Sequence, residues 1–235
     1  MSERRKDGHT RGRGFAFGTA LAVLLPGMAL ANDPLIPREA CEPIFSVQTR
    51  NCSVQHVFSC EGGSLFRRET WQQDEAFTVE EMTARGLTQY LWHEHDGMIM
   101  DGILDQVKPY DLPAALDAGT HAYEGVSAFR TPFFLEPIPA RFVGVLEATG
   151  ESVTLDGVTF DVVEDKSRGM VNAVMIEGTY TLYVDRASGV AIEGPSTGTI
   201  FNVTMEDGGV PMKVIRPGEA GFGENVGLYD CGAVS

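Results

Sequence analysis

The chain has 235 residues, of which 22% are charged, and its formal net charge at pH 7 is −15. A negative charge of this size repels nucleic acid and anionic lipid surfaces, so the composition argues against a nucleic-acid-binding role and favours cations and basic partners. Acidic residues also serve simply to keep a protein in solution.

The first 31 residues have the pattern of a secretory signal peptide. Five basic residues precede an apolar run from Phe15 to Leu30, and Ala29-Leu30-Ala31 forms an A-x-A cleavage site. We expect cleavage after Ala31, which leaves 235 − 31 = 204 residues with a net charge of 13 − 31 = −18. No second long apolar run follows, so we expect a soluble periplasmic or secreted protein without a stable membrane anchor.

Four cysteines follow the cleavage site, namely Cys41, Cys52, Cys60 and Cys231. An even number of cysteines in an exported chain predicts two disulfides. A Cys52–Cys60 bridge is disfavoured, because an extended strand between these residues would separate them by roughly 26 Å. Two pairings stay open, and in both of them Cys231 bonds to one of the other cysteines.

Strand-like runs separated by turn residues recur along the chain. Residues 53–59 and 64–71 flank Glu61-Gly62-Gly63, which predicts a three-residue hairpin loop. Further strands are predicted at residues 87–95, 98–104, 141–149, 152–155, 158–164, 170–177, 180–185, 190–193, 199–206 and 210–215.

Two short helices are predicted between the strands. Thr78-Val79-Glu80-Glu81 has the pattern of a capping box, and Gly86 can end that helix after two turns. Asp111 can cap a second helix that runs through Ala118. We therefore expect residues 32–235 to form a single β-rich domain, mainly an antiparallel, strongly curved sheet or incomplete barrel with two short helices.

The most distinctive group of side chains surrounds Asp96-Gly97, a strong hairpin signal. A two-residue turn there would place His95 opposite Met98 and His93 opposite Met100, so that all four side chains share one face. Imidazole and thioether ligands suit Cu(I), so these four residues are a candidate copper site. Alternatively, the methionines pack in the core and the histidines lie at the rim of the loop.

Two features of the sequence bear on enzymatic activity. Gly194-Pro195-Ser196-Thr197-Gly198 matches G-x-S-x-G, but a predicted strand follows it instead of a helix, and no histidine follows it in the chain. We interpret this segment as a turn and exclude a hydrolase of that kind. The 31 acidic residues expected in the mature chain offer many carboxylate pairs for acid–base chemistry, and the sequence selects none of them.

Residues 178–194, GTYTLYVDRASGVAIEG, combine an aromatic strand, an Asp-led turn and a returning strand. This hairpin resembles one in the periplasmic lipoprotein carriers and related LolA/LolB-like proteins, whose incomplete barrel encloses lipid chains. The segment CSVQHVFSCEGG, residues 52–63, also resembles cysteine-bearing exported proteins of alphaproteobacteria. The resemblance implies a fold and transfers no functional residue.

Three hypotheses about function follow. The leading one is a binding module for an apolar small molecule or lipid, or for another envelope protein. The second is a periplasmic copper-binding protein that uses His93, His95, Met98 and Met100. The third is an enzyme with carboxylates that the sequence does not identify.

Overall fold

The structure is a computed structural model that describes residues 36–72, 76–93, 97–133 and 136–231, with the backbone alone for residues 76, 77, 103 and 104. The predicted signal peptide lies outside the described residues, and so does His95. The described residues belong to one compact unit. Among them, no helix is long and apolar enough to cross a membrane.

One antiparallel sheet contains all the described strands. Neighbours in sequence from β1 to β12 are neighbours in the sheet, and the last strand, β13, returns to pair with β1. The sheet curls into a half-barrel, which confirms the predicted curved antiparallel fold. The strands are β1 (Cys41–Thr49), β2 (Ser53–Cys60), β3 (Leu65–Gln72), β4 (Ala76–Thr83), β5 (Thr88–His93), β6 (Ile99–Lys108), β7 (Thr120–Arg130), β8 (Ile138–Leu155), β9 (Val158–Val171), β10 (Val174–Asp185), β11 (Val190–Ile200), β12 (Val203–Asp207) and β13 (Pro211–Ile215).

The described residues contain one α-helix, α1 (Leu112–Ala118), which confirms the second predicted helix. The Asp111 side chain accepts a hydrogen bond from the backbone N–H of Ala114 at 3.0 Å, and Gly119, with a φ of 85°, follows the last helical residue. Two short 3-10 turns, Arg38–Ala40 and Glu61–Gly63, complete the helical structure of the described residues, and the second joins β2 to β3 as a hairpin loop.

The helix predicted from Thr78-Val79-Glu80-Glu81 is wrong, because these residues lie in β4. In the ladder between β3 and β4, Arg67 stands opposite Glu81 and Arg68 stands opposite Glu80. Opposite charges on directly facing residues stabilise a pair of strands. This pairing with a neighbouring strand outweighs the local capping-box signal.

The turn predicted at residues 194–198 is also wrong, since this segment lies within β11. Tyr180 of β10 pairs with Ser196, whereas Leu182 pairs with Glu193, so β11 contains one extra residue at this point. Such a β-bulge accommodates Pro195, which has no N–H to contribute to the ladder.

Two apolar clusters form the core. The first joins early strands to late ones, and Phe45, Val57 and Phe66 pack there with Phe160 and Ile192. The second surrounds α1 and contains Leu112, Ala115, Leu146, Val163 and Leu182. Because both clusters draw on strands far apart in sequence, they hold the sheet in its curled form.

Glycines on β8 and β9 let aromatic rings lie directly against the sheet. A Cβ atom at Gly144 would collide with the ring of Tyr123, and one at Gly169 would collide with the ring of Phe142. In the ladder, Tyr123 stands opposite Gly144 and Phe142 stands opposite Gly169. The two rings therefore occupy the space that larger side chains would fill on the same face of the sheet.

Both disulfides are formed, and they follow one of the two pairings that the sequence left open. Cys41 bonds to Cys60, its direct partner in the ladder between β1 and β2, with Cα atoms 4.3 Å apart. Cys52 bonds to Cys231 with Cα atoms 4.7 Å apart. The second bond anchors the segment 216–231, which follows β13.

Side chains of β1 and β2 also bind this C-terminal segment. The Gln48 side chain donates to the backbone oxygen of Val226 and accepts from the backbone N–H of Leu228. The His56 ring lies 3.2 Å from the Asn225 side-chain oxygen. The segment therefore covers buried polar groups that would otherwise face solvent.

Candidate functional site

Two rows of side chains face each other across the interior of the curled sheet. In the first row, Arg68, Glu80, Leu91 and Met100 are opposed in turn along β3, β4, β5 and β6. Directly opposed residues share a face of the sheet, so each row lies on one face. In the second row, on β8 to β12, the opposed residues are Leu146, Asp165, Tyr180, Ser196 and Asp207.

Two cavities lie between these rows. The larger cavity has a volume of about 300 Å³ and contains residues of both rows, among them Arg68, Glu80 and Tyr180. The smaller cavity has a volume of about 160 Å³ and again contains residues of both rows, namely Met100 and Asp165. Both cavities therefore open on the inner face of the half-barrel.

A buried charge cluster lines the larger cavity. Arg68 forms ion pairs with Glu80 and with Glu193, the second at 3.2 Å. The side chains of Arg68 and Glu80 are 6% and 11% exposed, whereas that of Glu193 is 43% exposed. Burial alone would lower the pKa of Arg68, but the two carboxylates raise it above its ordinary value. One cation therefore faces two carboxylates in this cavity.

The two cavities adjoin at Thr88. Thr88 lines the smaller cavity, and its hydroxyl donates a hydrogen bond to the carboxylate of Glu80, which lines the larger one. A ligand in the smaller cavity and a ligand in the larger cavity would thus contact the two ends of one hydrogen-bonded pair, Thr88 and Glu80.

Asp165 is the only acidic residue among the described residues that line the smaller cavity. Its carboxylate accepts hydrogen bonds from the hydroxyl of Tyr123 at 2.8 Å and from that of Tyr110 at 3.3 Å. Burial raises the pKa of Asp165 to about 6, although the two tyrosine hydrogen bonds act in the opposite direction. The pKa values of both tyrosines are raised, chiefly by burial, so their hydroxyls stay protonated and act as donors.

The other side chains that line the smaller cavity are apolar, except for the hydroxyl-bearing Thr88 and Ser127. Leu87, Met100 and Phe142 supply its apolar wall. The rings of Tyr110 and Tyr123 meet edge to face with centroids 4.8 Å apart. Ser127 also lines the cavity and is 2% exposed, yet its hydroxyl has no hydrogen-bond partner among the described residues. Buried polar groups usually have a partner, so this hydroxyl marks a position where a ligand atom or water can bind.

The structure describes three residues of the predicted copper site, His93, Met98 and Met100, and it changes their predicted register. Leu91 pairs with Met100, and the backbone N–H of His93 donates to the backbone oxygen of Met98 at 2.9 Å. The register therefore differs by two residues from the predicted one, and the prediction that His93 lies opposite Met100 is wrong. Strand β5 ends at His93 and β6 begins at Ile99, which does not fit a two-residue turn at Asp96-Gly97.

A shift of two residues preserves the faces of the strands, so His93 still shares a face with Met100. His93 nevertheless lines the larger cavity and Met100 lines the smaller one. Among the described residues, no group of three or more His, Cys, Asp or Glu side chains is arranged to hold a metal ion.

A wider depression of about 550 Å³ lies on the other face of β8 to β11. Lys166, Arg168 and Glu177 line it and are exposed to solvent. Lys166 forms an ion pair with Glu147, whose side chain is 42% exposed. These features are those of an open, solvated surface, so the inner cavities are the better candidate site.

The residues that form the inner site were not identified from the sequence. Arg68 and Glu80 occur in segments rich in charge, and a buried ion pair between them depends on the pairing of β3 with β4. Asp165 is 55 residues from Tyr110 and 42 from Tyr123. The available signal was the alternation of polar and apolar residues in strands, which indicates a face but not its partners.

Comparisons of this chain with models of protein families, with curated proteins and with solved structures each found no match.

Proposed function

We propose that this protein is a binding module that holds a small organic molecule, apolar in part, inside its half-barrel. The observation that carries this proposal is the smaller cavity, which combines an apolar wall with the unpartnered hydroxyl of Ser127. Ligand sites are typically concave and apolar, with a few polar groups that orient the ligand. The smaller cavity has this composition.

The chemistry of the interior favours a small amphipathic ligand over long lipid chains. Charged and hydroxyl-bearing side chains, including Arg68, Glu80 and Thr70, line the larger cavity next to the apolar part. A purely hydrocarbon ligand in this cavity would displace water from these polar groups and offer them no hydrogen bonds in return, which is energetically costly. The location of the ligand inside a curved sheet is in keeping with the resemblance to periplasmic lipoprotein carriers.

The proposed setting is the cell envelope or the extracellular space. The N-terminal pattern of a signal peptide and two disulfides support it, because disulfides persist in oxidising compartments. A ligand available there would reach the inner cavities without crossing into the cytoplasm.

Native mass spectrometry of the protein isolated from its own cell envelope tests this function. We expect a non-covalent, stoichiometric mass in addition to that of the chain. The variant Ser127→Leu would fill part of the smaller cavity with side-chain atoms and should lose that mass. The control Ser152→Leu makes the same change at an exposed position of β8 and should retain it.

The outcome depends on the Ser127→Leu protein being folded, which circular dichroism and thermal unfolding establish. Because this variant removes an unpartnered buried hydroxyl, its stability should be close to that of the wild type. Absence of any bound mass in the wild type, or its full retention in folded Ser127→Leu, would contradict a ligand site in the smaller cavity.

Copper binding is the second candidate function, and the shared face of His93, Met98 and Met100 favours it. Thioether and imidazole groups together bind Cu(I). Titration with Cu(I) under reducing conditions should show one equivalent bound, and the double variant His93→Ala/Met100→Ala should lose it. Unchanged affinity in the double variant would rule out this site.

A further inference from the structure

We propose that the smaller cavity binds the primary ammonium group of a short alkylamine, with Asp165 as the counter-charge. This inference rests on the proposed function, because it names the class of ligand for the same cavity. Three independent properties of the cavity support it: its charge, its excess of hydrogen-bond acceptors and its size.

The charge of the cavity comes from a carboxylate that has no cationic partner. Asp165 is 8% exposed, and none of the ion pairs formed by the described residues includes it. The other buried charged residues of the sheet are paired, as Arg68 is with Glu80. A buried carboxylate is costly unless it is paired, so a cation from outside the chain would stabilise Asp165.

The hydrogen-bonding groups of the cavity are short of donors. The hydroxyl protons of Tyr110 and Tyr123 are directed at Asp165, and that of Thr88 is directed at Glu80. The oxygens of Tyr110 and Thr88, the carboxylate of Asp165 and the free hydroxyl of Ser127 can all accept further hydrogen bonds. A primary ammonium has three N–H donors and no acceptor, so it complements this set better than a carboxylate or a quaternary ammonium does.

The size and the wall of the cavity limit the rest of the ligand. A volume of about 160 Å³ corresponds to roughly five water molecules at about 30 Å³ each. It therefore accommodates an ammonium group and a chain of a few carbons against Leu87, Met100 and Phe142. The rings of Tyr110 and Tyr123 add an aromatic surface, which also attracts organic cations.

The surroundings of the cavity also favour a cation. In the larger cavity the carboxylates of Glu80, Glu193 and Asp207 outnumber the Arg68 guanidinium. The whole chain has a net charge of −15. A negative potential of this kind raises the local concentration of cationic ligands and opposes the entry of anions.

Isothermal titration calorimetry with matched probes tests this inference. The probes are n-pentylamine, which is protonated at pH 8, and 1-pentanol, which has the same chain without a charge. We expect the wild-type protein to bind n-pentylamine at least about tenfold more tightly than 1-pentanol, since charge-assisted hydrogen bonds are the stronger ones. Pentanoate should not bind.

Two variants locate the ammonium in the cavity. Asp165→Asn should reduce the preference for n-pentylamine over 1-pentanol to about twofold or less, because the counter-charge is lost. Ser127→Ala keeps Asp165 and should weaken n-pentylamine binding about fivefold through the loss of one acceptor. The control Asp105→Asn removes a carboxylate from an exposed position of β6 and should leave both affinities unchanged. Circular dichroism shows whether each variant is folded.

The possible failures are distinguishable. Equal affinity of the wild type for n-pentylamine and 1-pentanol would overturn ammonium recognition and leave a small-molecule site in place. Unchanged preference in folded Asp165→Asn, or unchanged n-pentylamine affinity in folded Ser127→Ala, would likewise overturn it. If neither probe binds, this inference is also overturned, and the native mass measurement then decides separately whether the proposed binding function stands.

Discussion

Gln55 on β2 forms two hydrogen bonds with the backbone of Glu193 on β11. Its side-chain Nε2 donates to the Glu193 carbonyl oxygen at 2.7 Å, and its Oε1 accepts from the Glu193 N–H at 3.0 Å. Strand β12 pairs only with residues 196–200 of β11, so it does not reach Glu193. The Gln55 amide takes the place of a neighbouring strand at that position and joins distant parts of the curled sheet.

Replacing Gln55 should therefore destabilise the protein. In Gln55→Leu, which keeps a similar side-chain volume, the Glu193 N–H and carbonyl lose their partner. We expect the free energy of unfolding to fall by about 2 kcal/mol. Guanidinium unfolding measures it, with Gln89→Leu on the exposed side of β5 as a control that changes it by less than about 0.5 kcal/mol. Equal effects of the two variants would contradict a role for Gln55 in closing the sheet.

Arg68 should be more important for stability than an exposed arginine in an ion pair. Arg68→Met leaves Glu80 and Glu193 without their cation, and we expect a loss of about 3–5 kcal/mol in the free energy of unfolding. Arg141 is 68% exposed and pairs with Glu124. Its matched variant, Arg141→Met, should change the free energy of unfolding far less than Arg68→Met does, because solvent screens an exposed ion pair. Chemical denaturation at pH 7 compares them, and a loss below 1 kcal/mol for Arg68→Met would show that the buried cluster does not need its cation.

Asp165 makes the stability of the folded protein depend on pH in a defined direction. Its pKa is about 6 in the folded protein, against an ordinary value of 3.8. Between these values the folded state binds more protons than the unfolded state, so this group lowers the free energy of unfolding as the pH rises from about 4 to 6. The loss then persists at higher pH.

The variant Asp165→Asn isolates this contribution. The difference in the free energy of unfolding, variant minus wild type, should increase by about 2–3 kcal/mol between pH 4 and pH 7. Urea unfolding at several pH values gives this difference, in which the effects of other titrating groups cancel. A difference that stays constant, or that decreases with pH, would show that the carboxyl of Asp165 is not held in a desolvated site.

The two disulfides should contribute unequally to stability. Cys52 and Cys231 are separated by 179 residues, whereas Cys41 and Cys60 are separated by 19. In the chain-entropy model the longer loop corresponds to about 5 kcal/mol and the shorter one to about 3 kcal/mol. We therefore expect Cys52→Ala/Cys231→Ala to lower the midpoint of guanidinium unfolding more than Cys41→Ala/Cys60→Ala does. The reverse order would indicate that the C-terminal segment stays bound without its covalent anchor.

Local signals predicted those features of the fold that depend on local chemistry. The hairpin at Glu61-Gly62-Gly63 forms at the predicted position, and Asp111 caps α1 as expected. Turn residues and capping side chains act over three or four residues, so their effects can be read from a short segment. The helix predicted at Thr78 failed because the competing interaction, the pairing of Glu80 with Arg68, comes from another strand.

The candidate site depends on contacts between residues that are far apart in sequence, so local signals did not predict it. The closeness of His93 and Met100 in sequence predicted a common site, yet the two residues line different cavities. Asp165, Tyr110 and Tyr123 could not be predicted as site residues, because nothing in their immediate sequence neighbours distinguishes them. Their juxtaposition depends on β7, α1 and β9 meeting around the second apolar cluster.

The sequence by itself determined that the chain is rich in antiparallel strands and that four cysteines are available for two bonds. These properties follow from the alternation of side chains and from turn residues, which act locally. Only the tertiary structure decided that Cys52 pairs with Cys231, that Arg68 meets Glu193 and that Asp165 lies in a cavity where no described side chain is cationic. The physical reason is that each of these contacts joins strands far apart in the chain, and the curl of the whole sheet determines which of them meet.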